Sequence, residues 1–228
     1  MKLLVHLVPR LGAEDAARAR LGELGRELGS RTREVVASVA TMWRLPGDPF
    51  GPATRYAGAL ELRGGEGSSA AALVAVADGL ADGFGDAVHS DLCTALVGTD
   101  HVFIAARNAP VRYQYLMRRR DGFTHESYLQ RYREIHSRFG FATPGIRGYV
   151  QFHVDAEATR AATRAAGFAG WDVDSVSELH MDSLERFLQE IATSTIGADA
   201  AADEEVFVDR PNSAAFCSQV QWHAVEET

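Results

Sequence analysis

"YREIHSRFGFATPGIRGYVQFHV", residues 132–154, carries two periodicities back to back. Up to Phe139 the spacing is helical: Tyr128, Tyr132, Ile135, His136 and Phe139 share one stripe, while Gln130, Arg131, Arg133 and Arg138 fall elsewhere. Past Pro144 the period drops to two, and Ile146, Val150, Phe152 and Val154 alternate with Arg147, Tyr149, Gln151 and His153. A helix from about 124 to 139 therefore hands over to a strand. His136 rides the apolar stripe, where a histidine is most often a core group with one hydrogen bond satisfied. A neutral imidazole also offers one donor and one acceptor, and serves as a general base when a proton lies within reach.

The elements on either side extend this unit. Upstream, "VRYQYLMRR" (111–119) alternates as a strand. Downstream come an Ala/Arg/Thr-rich stretch (156–166), read as an inserted helix or covering loop, a strand around 172–181, and the helix "DSLERFLQEIAT" with Asp182 or Ser183 as its cap. "GADAAADEE" reads as a flexible acidic loop and "AFCSQVQWHAV" as the last strand. The first half repeats the order: strand 2–8, helix 13–28, strand 33–43, a Pro/Gly loop at 44–52, strand 56–63, helix 69–84 and strand 101–106. Two β-α-β-β-α-β halves, residues 1–107 and 108–228, predict an α+β chain of two tandem ferredoxin-like units. Each unit leaves one sheet face bare. The two bare faces are expected to cover each other, forming an α/β barrel around a partly wet interior.

Alternation also assigns faces. In the last strand Phe216, Val220, Trp222 and Ala224 oppose Cys217, Gln219, Gln221 and His223. In the strand at 111–119, Val111, Tyr113, Tyr115 and Met117 oppose Arg112, Gln114, Leu116 and Arg118. The apolar side is expected to meet the helices. The polar side, with Tyr149, Gln151 and His153 in the 146–154 strand, then points into the barrel or into solvent. The first alternative gives a semi-polar pocket for a small aromatic molecule.

Composition narrows the classes. The 228 residues are 46% hydrophobic and 24% charged, which suits a packed globular chain. A net charge of −8 argues against a general nucleic-acid binder, and the run Arg118–Arg120 ends at Asp121 as a solvated strand end. "MKLLVHLVPRLG" reads as a first strand rather than a signal peptide, and no apolar stretch is long enough to span a bilayer. Cys93 and Cys217 form neither a disulfide framework nor a zinc motif, so a reducing cytoplasm is expected. Asp78, Asp82 and Asp86 read as a solvated face rather than a metal site, and phosphate-binding glycine loops and a nucleophile elbow are missing from the sequence.

"DGFTHESYLQRYREIHSRF", then "PGIRGYVQFHV" and later "DEEVFVDRP" resemble the EthD family, a branch of the dimeric α/β-barrel superfamily. The match covers about residues 110–225 and rests on Gly122, Thr124, Arg133, Glu134, His136, Pro144, Arg147, Tyr149, Gln151, His153, Phe207 and Asp209, in order and spacing. Two positions depart from the family pattern: Tyr132 replaces its usual helix tryptophan, and Ser137-Arg138-Phe139 its usual Ala-Pro-Leu. The first half lacks the Glu-x-x-His pattern. The resemblance implies a ferredoxin-like barrel whose catalytic suspects are a histidine and an aspartate, here His136 and Asp209. Tyr128, Tyr132, Tyr149, Gln151, His153, Tyr113, Gln221 and His223 are then the candidate substrate contacts. It further implies a cofactor-independent enzyme that moves protons in dehydration, cyclisation or oxygenation of an aromatic or polyketide-like compound. The competing readings are a non-catalytic small-ligand-binding accessory protein and a heme-binding barrel, for which His6, His101, His153, His180 and His223 are the formal ligands. The expected partners are a small organic ligand and a second copy in a homodimer, with no nucleic acid and no membrane.

Overall fold

The computed structural model describes residues 1–51, 54–106, 108–170 and 172–223. Among them the first half runs β1 (Lys2–Leu7), α1 (Glu14–Arg31), β2 (Val36–Arg44), β3 (Gly58–Gly64), α2 (Ala70–Val76), α3 (Leu80–Phe84) and β4 (Thr94–Ile104). The second half runs β5 (Val111–Met117), α4 (His125–Arg131), a π-helical turn (Tyr132–His136), α5 (Ser137–Ala142), β6 (Gly148–Val154), α6 (Ala156–Ala166), β7 (Ser175–Met181), α7 (Leu184–Ile191), α8 (Ile196–Phe207) and β8 (Ala214–His223).

The strands close into one antiparallel barrel in the order β1-β3-β2-β8-β5-β7-β6-β4. Each half supplies four adjacent strands, β4-β1-β3-β2 and β8-β5-β7-β6, and the seams are β2–β8 and β4–β6. The barrel thus closes within a single chain. At the β4–β6 seam a Cβ on Gly98 would lie 2.1 Å from the His153 carbonyl oxygen, so this close backbone approach requires glycine.

Some elements depart from the sequence reading. β4 begins at Thr94, not His101, because "TALVG" is buried on every residue and shows no alternation. The helix expected over 69–84 breaks at Gly79, whose φ of 70° is left-handed. The stretch 156–166 is a helix capped by Asp155, whose Oδ1 accepts from the Glu157 and Ala158 amides at 3.0 Å. The expected acidic loop "GADAAADEE" lies within α8, where alanine-rich helix propensity outweighs its charge. Ala224, placed on the last strand's apolar face, lies outside the described residues.

The largest correction concerns what fills the barrel. The expected hollow is occupied by a charged cluster. Lys2 Nζ lies 2.8 Å from Glu178, 3.0 Å from Asp100 and 3.2 Å from Glu61. Arg112 Nη1 lies 2.6 Å from Glu61, Arg63 pairs with Glu61 and Asp100, and Gln114 donates to Glu178 at 3.0 Å. Burial alone would raise the Glu61 and Glu178 carboxyls, but Arg112 and Lys2 outweigh it and hold both below the usual range. Phe152 and Phe216 pack inside with this cluster: the Lys2 ammonium sits over the Phe152 ring, and Phe216 meets the buried His6 edge-on.

The face assignment holds for β5, whose Arg112 and Gln114 enter the lumen while Tyr113 and Tyr115 face outward, but it is inverted on β6 and β8. Phe152 and Phe216, expected against the helices, point inward, while Tyr149, Gln151 and His153 face the helices of the second half. The Gln151 side chain donates to the Tyr132 carbonyl at 3.0 Å, and the Tyr132 and His153 rings lie 5.7 Å apart. On β6 alternation is sound but ambiguous, because both of its faces are buried.

Candidate active site

The second half's helices do not pack flush on the sheet. Between them lies a cavity of about 510 Å³, inside the range of roughly 300–1,000 Å³ usual for small-molecule pockets. Its floor is the outward face of the barrel: Tyr113, Tyr115 and Met117 of β5, Tyr149 of β6, and Ser177 and Leu179 of β7. α7 contributes Phe187 and Ile191, α8 contributes Ala200, Ala201 and Glu204, and Phe50 and Phe139 complete an aromatic wall.

His136 enters from the end of the π-helical turn. Thr124 caps α4, its hydroxyl accepting from the Ser127 amide at 3.1 Å. Positions four apart drift around an α-helix of about 3.6 residues per turn. The wider turn absorbs that drift and keeps Tyr128, Tyr132, His136 and Phe139 all toward the sheet. The imidazole is 7% exposed and packs against Phe139 and Phe207, with ring centres 5.2 and 5.3 Å away.

Asp203 of α8 fixes the tautomer. A carboxylate only accepts, so His136 Nδ1–H donates to Asp203 Oδ2 at 2.9 Å, and the Nε2 lone pair is left on the cavity side. Arg131 holds the other Asp203 oxygen at 2.7 Å. Burial pushes the His136 pKa below the ordinary imidazole value, against the opposing pull of Asp203. The ring is therefore neutral at pH 7, as a general base must be. Across from Nε2, Glu204 Oε1 stands 3.9 Å away on the same wall. Burial raises this carboxyl to about 7.

The expected contacts divide into three groups. Tyr113 and Tyr149 line the cavity. Tyr128, Tyr132, Gln151 and His153 are buried or half-buried behind it: Tyr128 bonds the Ser175 hydroxyl at 2.7 Å, and Gln151 joins the Tyr149 hydroxyl (2.6 Å) to His153 (3.2 Å). Gln221 and His223 sit apart on β8. Gln221 is exposed, and His223 bonds Thr41 at 2.8 Å beside α1. Asp209 also stands off the cavity wall; its side chain accepts from Asn212 at 2.9 Å and its backbone amide donates to the Arg118 carbonyl. The carboxylate expected there is supplied by Asp203, six residues earlier in the same acidic run. Asp203 and Glu204 escape the sequence reading because that run looks like a loop. As a helix, it presents two consecutive residues to the two edges of one imidazole.

Tyr149 leans on Gly140, where an added Cβ would meet its ring at 2.2 Å. Alanine would favour α5 by about 1 kcal/mol through helix propensity, and overpacking costs about 1–3 kcal/mol. Gly140→Ala is therefore expected to give a net loss of stability in urea denaturation, with the Tyr149 ring displaced from the cavity floor. A net gain would show that the ring yields freely.

Residues 120–211 match the EthD domain family model. Over that span the second half is similar to the EthD domain. Helix α4, the π-helical turn, β6, β7 and α8 all fall inside the matched span, and so do His136, Asp203 and Glu204. The barrel as a whole is similar to solved structures of low identity. An anthrone oxidase-like protein is 12% identical with a TM-score of 0.67, covering 99% of this chain and 93% of that one. Proposed monooxygenases from Lactobacillus acidophilus NCFM (8% identical, TM-score 0.51, covering 98% and 95%) and Fusobacterium nucleatum subsp. nucleatum (7%, 0.54, covering 100% and 95%) share the fold. No curated protein sequence matches the chain. Among the described residues no helix is long and apolar enough to cross a membrane, and no group of three or more His, Cys, Asp or Glu side chains is placed to hold a metal ion. None of His6, His101, His153, His180 and His223 lines this cavity; the histidine that does is His136.

Proposed function

We propose that the chain is a cofactor-independent enzyme that moves protons on an aromatic or polyketide-like compound bound between the sheet and helices of its EthD domain. His136 is the base and Asp203 its partner. The observation that carries this reading is the imidazole at the cavity wall, with Nδ1 2.9 Å from Asp203 and Nε2 beside Glu204. Flat aromatic walls suit a planar ring system. The matching strand orders, β4-β1-β3-β2 and β8-β5-β7-β6, support two ferredoxin-like units, residues 1–107 and 108–228, of which the second holds the site.

Anthrone, a ketone with an acidic methylene between two rings, is a suitable probe. Its methylene hydrogens are followed by proton NMR in D2O. Exchange accelerated by the wild-type chain and lost in His136→Asn supports the reading, whereas equal exchange by both proteins contradicts it and moves the cavity to a carrier role. Asp203→Asn removes the carboxylate that orients the ring and is expected to slow exchange at least ten-fold more than Asp209→Asn. The opposite ranking would return Asp209 to the site.

A further inference from the structure

We infer that Glu204 is a second catalytic group of this cavity: its carboxyl gives a proton to the substrate's carbonyl oxygen while His136 Nε2 takes one from the acidic carbon conjugated with that carbonyl, so that the two side chains enolise the substrate together. This rests on the reading of His136 as the base and adds the acid that a base alone lacks.

Three observations point to it. First, consecutive residues of α8 grip opposite edges of one imidazole, Asp203 at Nδ1 (2.9 Å) and Glu204 at Nε2 (3.9 Å). The longer separation exceeds a hydrogen bond, and Glu204 lines the cavity where Asp203 does not. Second, the two carboxyls have different surroundings. Asp203 is held by Arg131 at 2.7 Å, while Glu204, 14% exposed, has Arg210 Nε at 3.5 Å on a side chain that is itself 41% exposed. Third, burial pushes Glu204 up to about 7, with Asp203 adding to the rise and Arg210 opposing it. A carboxyl near the working pH is partly protonated and suited to donate, and two carboxyls driven apart by environment divide acid and anchor roles.

The step balances without any further reactant. The C–H bond breaks toward Nε2, its electron pair enters the conjugated system that links this carbon to the carbonyl (in anthrone it completes an aromatic central ring), and the carbonyl π pair takes the proton from Glu204. The products are an enol, an imidazolium flanked by Asp203, and a Glu204 carboxylate. A proton then passes from Nε2 to Glu204 Oε1 and restores both groups.

The test combines infrared difference titration of the whole chain with anthrone exchange. Between pH 5 and pH 9 a protonated-carboxyl band is expected to vanish with a midpoint of about 7, to be missing in Glu204→Gln, and to titrate higher in Arg210→Gln, which removes the opposing cation. Glu204→Gln should slow anthrone exchange by about 10²-fold or more while keeping its fold. Its melting temperature should gain on wild type as pH rises from 4.5 through 7, because a raised folded pKa costs the wild type stability across that window. A carboxyl that titrates wholly in the ordinary range near about 4.3, or Glu204→Gln exchanging at the wild-type rate while His136→Asn does not, overturns this inference and leaves the His136 reading intact. Wild-type exchange by His136→Asn overturns the earlier reading instead. Should Glu204→Gln fail to fold, the midpoint in wild type and its displacement in Arg210→Gln decide the matter alone.

Discussion

Lys2→Met is expected to lower the unfolding free energy by about 3–5 kcal/mol, the largest stability effect in the molecule. Lys2 is fully buried, and its ammonium faces Glu178, Asp100 and Glu61 within 3.2 Å. Methionine keeps most of the stem volume but removes the cation, so three carboxylates are left with Arg112 and Arg63 alone. Desolvation is what makes that arrangement expensive. The intact cluster is not itself a large source of stability, since Coulomb attraction largely offsets the cost of removing each ion from water. The pH dependence carries the same signature. Glu61 and Glu178 have folded pKa values below the unfolded value of about 4.3, so their contribution is present above that pH and lost as pH falls through the folded values. The Lys2 pKa is raised, with Asp100 foremost in outweighing its burial, so its contribution is present below about 10.4 and lost as pH rises through the folded value. Urea denaturation at pH 7 measures the loss. A change under about 1 kcal/mol would mean that the cluster behaves as a screened surface network.

His136→Ala is expected to lower kcat on an enolisable substrate by about 10²–10⁴-fold, with much less change in KM. The asymmetry follows from geometry: substrate binding is spread over Tyr113, Tyr115, Phe139, Phe187 and Tyr149, whereas Nε2 is the acceptor that Asp203 prepares. The pH profile tests the role separately from the fold. Burial lowers the His136 pKa, so the acidic limb of kcat/KM should lie below the ordinary imidazole value of about 6.5 and activity should persist into mildly acid solution. An acidic limb at or above that value would point to another base. Because the ring also packs on Phe139 and Phe207, His136→Asn serves as the companion variant with a smaller packing loss.

The order of elements was legible because it is local. Period changes at Pro144 and the Pro/Gly loop at 44–52 mark boundaries within a few residues of where the chain turns, whereas α1 runs through Gly29 and Gly79 breaks a helix that reads as continuous. Which face of β6 looks where is not legible, since its inward and outward faces are both buried, whereas the polar–aromatic alternation of β5 places Arg112 and Gln114 inward correctly. Tyr149, Gln151 and His153 look like lumen residues until Lys2, Glu61, Arg112 and Glu178 are seen to occupy the lumen. Those charges meet across sequence separations as large as 176 residues, which no window detects. The stripe alone reads His136 as a core histidine and the family resemblance makes it a candidate base, but its partner lies 67 residues away in a run whose charge hides a helix. Position 209 carried the family's aspartate, and the chain places that residue in the turn after α8 rather than on the cavity wall.

The most direct measurement is a proton–nitrogen NMR titration of histidine-labelled protein with anthrone. The His136 ring resonances should move, Nε2 most, while His6 and His180 in the charged lumen stay fixed. Movement of His6 or His180 with His136 unchanged would place the ligand inside the barrel and contradict a site between the sheet and the helices.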